Sequence, residues 1–174
     1  MNSKIDVLIS REEIEKKVRE LGEKITTDYK GKELIIIGLL RGSVLFMSDL
    51  IREINLPLKV DFMTVSSYGN EKYSSREVKI IQDLSENIMG KNVIVVEDII
   101  DSGLTLNKVL EILKTREPES LKLAAFLNKP TRREIEVQVD YIGYDIPDEF
   151  VVGYGLDFAQ MYRNLPYVGI LKGE

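Results

Sequence analysis

The sequence contains neither cysteine nor histidine. Without cysteine, disulfides and thiolate sites are impossible. Without histidine, the chain cannot form Ser-His-Asp or Cys-His catalytic groups, or a zinc site with histidine ligands. A general base must therefore be Asp, Glu, Lys or Tyr. Any bound metal must be a hard cation held by oxygen atoms, such as Mg²⁺.

The sequence also has no apolar run of membrane-spanning length and no secretory signal, and its net charge at pH 7 is −5. We therefore expect a cytoplasmic protein with no membrane partner and no nucleic-acid partner. Its 174 residues fit a single domain, residues 1–174, and 44% of them are hydrophobic. That composition is sufficient to bury a core of ordinary size.

Apolar residues alternate along the chain between helical and strand patterns. Ser10 to Glu13 form a capping-box sequence, and apolar residues at helical spacing follow it, which predicts a helix. The runs ELIIIGLL and VIVV predict strands buried on both faces. This alternation predicts an α/β fold with a mostly parallel central sheet flanked by helices. The part after about residue 129 is richer in aromatic and turn residues, and we expect it to form a small subdomain.

Further elements are predicted around these strands. A helix is expected from Ser43 to Ile54, and its apolar side is expected to contain Val44, Leu45, Met47 and Leu50. The strand-like run LKVDFMTVSSY is followed by a predicted polar loop from Ser66 to Val78. Another helix is expected to begin near Leu106 and to end before Pro118.

The stretch VIVVEDIIDSGLTL has three carboxylates directly after a predicted buried strand: Glu97, Asp98 and Asp101. In open α/β sheets, ligands bind beyond the carboxyl ends of the strands. Gly103 would let the backbone approach a ligand, and Ser102 and Thr105 could bind a phosphate at the start of the next helix. The first two acids would then face diol hydroxyls or a metal. The alternative is that Asp101 or Ser102 caps the helix, which accounts for one acid but not for three.

The same stretch closely resembles the 5-phosphoribosyl-1-pyrophosphate signature of the type I phosphoribosyltransferases. The segments LLRGSVLFMSDLIREI, VDFMTVSSYG, NKPTRR and FVVGYGLDFAQMYRNLPYVGIL extend the resemblance to the hypoxanthine-guanine phosphoribosyltransferases. It implies the type I fold, with a small hood subdomain. It also implies purine salvage: the transfer of 5-phosphoribosyl from phosphoribosyl pyrophosphate to hypoxanthine or guanine, giving IMP or GMP and diphosphate. Mg²⁺ as cofactor and a homodimer or homotetramer are further implications.

The resemblance also implies roles for individual residues. Asp101 would lie near purine N7 and act as the base. Leu40 to Ser43 resemble the family's pyrophosphate loop, which often contains a non-proline cis peptide, and the loop from Ser66 to Val78 resembles its mobile lid. The residues expected to bind phosphoribosyl pyrophosphate are Leu40, Arg41, Gly42, Ser67, Tyr68, Glu97, Asp98, Asp101, Ser102, Gly103, Leu104, Thr105 and Arg163. Those expected to bind the purine are Lys129, Phe150, Val151 and Asp157, and those expected to bind Mg²⁺ are Glu97, Asp98 and Asp157.

Two positions depart from the family's pattern. Arg76 stands where a small residue is common, and Asn128 stands where an acid is usual. Two alternatives remain open: a xanthine-preferring phosphoribosyltransferase, and a regulator of the same fold that binds RNA or DNA. The net acidic charge argues against the regulator, and so does the lack of a basic cluster larger than Arg132-Arg133.

Overall fold

The computed structural model describes residues 4–68 and 77–173, which form two sheets and three α-helices. In chain order the described elements are β1 (Lys4–Ile9), α1 (Arg11–Asp28), β2 (Leu34–Leu39), α2 (Val44–Glu53), β3 (Leu58–Tyr68), β4 (Glu77–Gln82), β5 (Asn92–Ile100), α3 (Leu104–Lys114), β6 (Ser120–Asn128), a 3₁₀ turn (Pro130–Arg132), β7 (Tyr141–Asp145), β8 (Val151–Val152) and β9 (Val168–Lys172). No helix in these ranges is long and apolar enough to cross a membrane.

The large sheet has the strand order β4-β3-β2-β5-β6-β7, and only the β3–β4 pair is antiparallel among the described residues. Every residue of β2 is buried, as are Val93 to Val96 of β5, because both strands are covered on two faces. The predicted α/β fold with a mostly parallel sheet is confirmed. The chain order reverses between β2 and β5, and such a switch point opens a crevice at the carboxyl ends of the two strands.

The predicted helices α1 and α2 are present. In α1, Ser10 Oγ accepts a hydrogen bond from Glu13 N at 3.2 Å, and Glu13 Oε2 accepts one from Ser10 N at 2.7 Å, which completes the capping box. In α2 the buried residues are Phe46, Met47 and Leu50. The expectation that Val44 lies on the apolar side is wrong, because Val44 is 39% exposed and Phe46 fills the core instead.

The small sheet has the order β1-β9-β8, and both of its pairings are antiparallel. It joins the N-terminal strand β1, which the sequence patterns did not predict, to two strands near the C-terminus. The segment after residue 129 is therefore divided, since β7 extends the large sheet while β8 and β9 belong to the small one.

Two predicted boundaries are wrong. The loop predicted from Ser66 to Val78 is shorter, because Ser66 to Tyr68 still belong to β3 and pair with residues at the start of β4. Residues 69–76, which include Arg76, lie outside the described residues, and so does the side chain of Tyr68. Strand β5 continues through Glu97 and Asp98 to Ile100, so these acids lie inside the strand.

Candidate active site

The loop that follows β2 lies directly against Asp98, one of the acids of β5. A Cβ atom at Gly42 would overlap Asp98 Oδ2, so only glycine allows this approach of the backbone to the carboxylate. The peptide bond between Leu40 and Arg41 is cis, as the resemblance implies. Buried Ser43 donates a hydrogen bond to Leu39 O at 2.6 Å and joins the loop to the end of β2. The predicted pyrophosphate loop and two of the predicted metal ligands therefore meet at the switch point.

Glu97 and Asp98 are partly buried side by side in β5. Burial raises the pKa of the Glu97 carboxyl well above its usual value, and the neighbouring Asp98 charge raises it further. Burial also raises the pKa of Asp98, against the lowering effects of its hydrogen bonds and of the nearby Arg163 charge. Two desolvated acids of like charge are stabilised by a cation or by hydroxyl donors. The pair is thus suited to a hydrated metal ion or a sugar diol.

The loop from Asp101 to Thr105 lines a cavity of about 210 Å³ together with Glu97 and the end of β5. Gly103 has φ 81° and is the N-cap of α3, and a Cβ atom there would lie 2.9 Å from Ile135 O. Leu104 N donates a hydrogen bond to Ser102 Oγ at 3.3 Å. Of the alternative that Asp101 or Ser102 caps the helix, the part concerning Asp101 is wrong, because the left-handed glycine occupies the cap position, whereas Ser102 does accept from the first amide of α3.

Lys129 directly follows β6 and is 8% exposed. Its Nζ lies 3.7 Å from Asp101 Oδ1 and 3.9 Å from Asp148 Oδ1. At these separations neither contact is a hydrogen bond, so the ammonium keeps its donors for a ligand while two carboxylates balance its charge. Lys129 N also donates to Ile100 O at 2.9 Å, which holds the ends of β5 and β6 together. The predicted base and the predicted purine contact are therefore neighbours.

Asn128, which stands where the family usually has an acid, makes two side-chain hydrogen bonds. Its Nδ2 donates a hydrogen bond to Asp145 Oδ1 at 2.8 Å, and its Oδ1 accepts one from Arg133 Nη2. The other terminal nitrogen of Arg133, Nη1, is buried and has no hydrogen-bond partner in the described parts of the chain. An acid in place of Asn128 could still accept from Arg133 but could not donate to Asp145.

A turn after β8 forms the other side of the crevice. A Cβ atom at Gly155 would overlap Gly42 O, so this turn packs directly on the loop after β2. Arg163 Nη1 donates to Gly155 O at 2.6 Å, and Arg163 Nη2 lies 3.1 Å from Asp157 Oδ1. Asp157 is thus paired with an arginine. Among residues 4–68 and 77–173, no three acidic side chains form one metal site, so the structure does not group Asp157 with Glu97 and Asp98.

The remaining predicted residues occupy the edges of the site. Phe150 is 52% exposed and meets Phe158 edge to face, with 5.8 Å between the ring centroids. Val151 is buried in β8. Ser67 is exposed near the end of β3, beside the residues that the structure leaves undescribed. A larger cavity of about 500 Å³, between α1, α2 and the segment 154–166, contains none of the predicted site residues.

Residues 8–159 match the family model described as the phosphoribosyl transferase domain. The chain belongs to the phosphoribosyltransferase family. A hypoxanthine phosphoribosyltransferase of Salmonella typhimurium is 56% identical over 171 residues, which cover 97% of this chain and 96% of that protein. The likeness extends over nearly the full length of both chains.

Solved structures of phosphoribosyltransferases have the same fold. A hypoxanthine phosphoribosyltransferase of Staphylococcus aureus superposes with a TM-score of 0.93 at 48% identity, covering 96% of this chain and 91% of the other. A hypoxanthine-guanine phosphoribosyltransferase of Bacillus anthracis, which has HEPES in its active site, gives a TM-score of 0.94 at 46% identity. That match covers 98% of this chain and 100% of the other. The type I phosphoribosyltransferase fold is thereby confirmed.

Three residues of this phosphoribosyltransferase site were missed by sequence reasoning: Asp148, Phe158 and Gln160. Asp148 contacts Lys129 but lies far along the chain from the motif that contains Asp101, so no local pattern joins them. Gln160 has φ 67°, a conformation that non-glycine residues seldom adopt and that its residue type does not signal. The exposed Phe158 could have been noticed as an aromatic residue near Phe150 in the chain, but only the fold brings the rings together.

Proposed function

We propose that this phosphoribosyltransferase transfers 5-phosphoribosyl from phosphoribosyl pyrophosphate to hypoxanthine or guanine in purine salvage, giving IMP or GMP and diphosphate. The observation that carries the proposal is the approach of Lys129 Nζ to Asp101 Oδ1 at 3.7 Å, beside the loop at the start of α3. A cation and a carboxylate at that spacing match an oxygen acceptor and a ring N–H on one edge of a purine. The names of its relatives support the same reaction.

The purine would be held by groups of opposite character. Lys129 has donors and no acceptor, so it complements the O6 acceptor of hypoxanthine and guanine. Asp101 would take the proton from N7 while N9 forms a bond to the ribose C1 and the C1–O bond to diphosphate breaks. Phe150 would stack on the base, and the Val151 carbonyl would meet its N1 and N2 edge. An amino group in place of O6 would bring donor against donor, which disfavours adenine.

Phosphoribosyl pyrophosphate would occupy the crevice at the switch point. The segment from Asp101 to Thr105 would bind the 5-phosphate through backbone amides and hydroxyls. The loop Leu40 to Gly42 and Arg163 would bind the pyrophosphate. Ser67 and Tyr68 would close over the reacting carbon, because water would intercept an oxocarbenium-like transition state.

Mg²⁺ fits Glu97 and Asp98, because burial raises the pKa of both carboxyls and a bound cation would stabilise their ionised form, which offers only acceptor oxygens. Asp157 would serve as a further ligand, and its fit is less direct because Arg163 already pairs with it. When bound, the ion would neutralise charge that develops on the departing diphosphate. The acid pair would also hold the ribose hydroxyls, directly or through the ion.

The test is a nucleobase panel with phosphoribosyl pyrophosphate and Mg²⁺, in which diphosphate release is followed. We expect turnover of hypoxanthine and guanine, and a kcat/KM for adenine lower by roughly 10³- to 10⁴-fold, since the site would match one hydrogen-bonding pattern. Excess chelator should stop the reaction. A preference for xanthine, or adenine turnover equal to that of hypoxanthine, would contradict the proposal.

The assembly and the compartment are further proposals that follow from the resemblance. We expect a homodimer or a homotetramer, acting in the cytoplasm. Light scattering of the purified protein would measure the oligomeric state, and a monomer at micromolar concentration would contradict the expected assembly.

A further inference from the structure

The side chain of Gln160 joins two arginines from opposite ends of the chain. Its Oε1 accepts a hydrogen bond from Arg41 Nη1 at 3.2 Å and from Arg163 Nη2 at 3.0 Å. Arg41 belongs to the loop after β2, whereas Arg163 belongs to the turn after β8. The single amide oxygen therefore makes a polar contact between the two loops on either side of the crevice.

The backbone of Gln160 has a hydrogen bond of its own within the turn. Its N donates a hydrogen bond to Asp157 Oδ2 at 2.8 Å, and its φ of 67° places it in a left-handed turn. Asp157 itself pairs with Arg163. The backbone that carries the acceptor oxygen is consequently held by a hydrogen bond that involves neither arginine directly.

Two guanidinium groups beside one another repel, and each long side chain loses rotamer freedom when it is ordered. A shared acceptor offsets part of that repulsion. Ordering such a side chain at the moment of binding weakens affinity by roughly 2- to 10-fold for each one, so prior ordering preserves affinity. Because an amide oxygen carries no net charge, Gln160 itself neutralises neither arginine, although Asp157 already balances part of the Arg163 charge.

The position of the two arginines indicates which anion they would bind. Arg163 also donates to Gly155 O, and a Cβ atom at Gly155 would overlap Gly42 O, so Arg163 lies close to the proposed pyrophosphate loop that contains Arg41. We propose that Gln160 is a positioning residue that collects Arg41 and Arg163 into one receptor for the pyrophosphate group. A neutral side chain suits that role, because Asp157 already supplies one carboxylate to Arg163 and a second would compete further with the anion. The inference rests on the proposed function.

The experiment measures the binding of pyrophosphate, at a fixed Mg²⁺ concentration, by calorimetry to the wild-type protein and to two variants. Gln160→Ala and Gln160→Glu place non-glycine residues at the same left-handed position, so their backbone strain is matched. Gln160→Ala should raise the Kd by about 3- to 10-fold through lost ordering. Gln160→Glu should raise the Kd by more than about 10-fold at low salt, because the new carboxylate competes with pyrophosphate for both arginines. Added salt should reduce the difference in Kd between the two variants.

The KM for hypoxanthine and the melting temperature distinguish a positioning role of Gln160 from a purely structural one. The KM for hypoxanthine and the melting temperature should stay near the wild-type values in both variants, while the KM for phosphoribosyl pyrophosphate follows the order of the Kd values. Ala159→Ser is the control, since Ala159 is exposed in the same turn with φ 50° and should bind pyrophosphate normally.

The outcomes that overturn the inference are distinct. Pyrophosphate affinities within about twofold of wild type in both variants would remove Gln160 from the receptor. Equal losses in both variants, accompanied by equal losses of purine affinity and stability, would make Gln160 a structural residue of the turn. A wild-type protein that neither binds pyrophosphate nor turns over hypoxanthine would instead refute the proposed function, and this inference with it.

Discussion

The two sides of the crevice hold their polar groups by different means. On one side, which we call the sheet half, Glu97, Asp98 and Lys129 are partly or fully buried at the ends of parallel strands. On the other side, which we call the turn half and which comprises residues 150–163, Phe158 and Gln160 are exposed and are held by left-handed turns and side-chain contacts.

This difference has consequences for the chemistry. Charges are stronger where they are desolvated, so Glu97, Asp98 and Lys129 of the sheet half are suited to stabilise charge in the transition state. The exposed Asp101 beside Lys129 would instead act by proton transfer. Exposed groups are screened by solvent and contribute more modestly, so the turn half is suited to ordering the substrates. Substitutions in the sheet half should therefore lower kcat or change specificity, whereas those in the turn half should raise KM.

The largest effect is expected from Asp101→Asn. We predict a fall in single-turnover rate of roughly 10²- to 10⁴-fold, the range for a general acid–base group. The melting temperature should change little, because Asp101 is exposed and does not cap α3. Asp148→Asn is the matched control. Asp148 Oδ1 also lies near Lys129 Nζ, at 3.9 Å, but Asp148 has no proposed role in proton transfer. Equal rate losses in the two variants would make both acids mere counter-charges.

Lys129→Met removes the ammonium and keeps most of the side-chain volume. We predict a loss in kcat/KM for hypoxanthine of roughly 10²-fold, because a charge-assisted hydrogen bond to O6 is lost. The kcat/KM for adenine should change by only a few-fold, so the ratio of the kcat/KM values for hypoxanthine and adenine should fall. Parallel kinetics with both bases provide the measurement. If the two bases lost activity equally, Lys129 would support the fold of the site and would not select the purine.

The sheet half was largely predictable, and the physical reason is its continuous apolar strands. The runs at β2 and β5 carry that signal because both faces are buried. The position of Glu97 and Asp98 inside β5 was not predictable, since acids are depleted in strands and favour an early boundary. The turn half rests on non-glycine residues with positive φ, such as Gln160 and Tyr162, for which residue type gives no signal.

A smaller effect is expected from Asn128→Asp, which tests how the sheet half supports Lys129. The new carboxylate would face Asp145 without a donor, so we predict a loss of about 1–3 kcal/mol in unfolding free energy and roughly a 10-fold loss in kcat/KM for hypoxanthine. Asp145→Asn in the same chain supplies the missing donor. It should restore most of the unfolding free energy and most of the kcat/KM for hypoxanthine. A double-mutant cycle measures this coupling. Strictly additive effects would show that the Asn128–Asp145 hydrogen bond does not position Lys129.

The smallest effect is expected in the turn half, from Phe158→Leu. The Phe158 and Phe150 rings meet edge to face with an interplanar angle of 89°, and such pairs contribute about 0.5–1.5 kcal/mol beyond burial. Without that contact the Phe150 ring is less well oriented for stacking, so the KM for hypoxanthine should rise by about 2- to 10-fold while kcat is unchanged. Met161→Leu is the control, because Met161 is 65% exposed in the same turn. A fall in kcat with unchanged KM would place Phe158 with the groups that act on the transition state, and the functional division between the two halves would then be wrong.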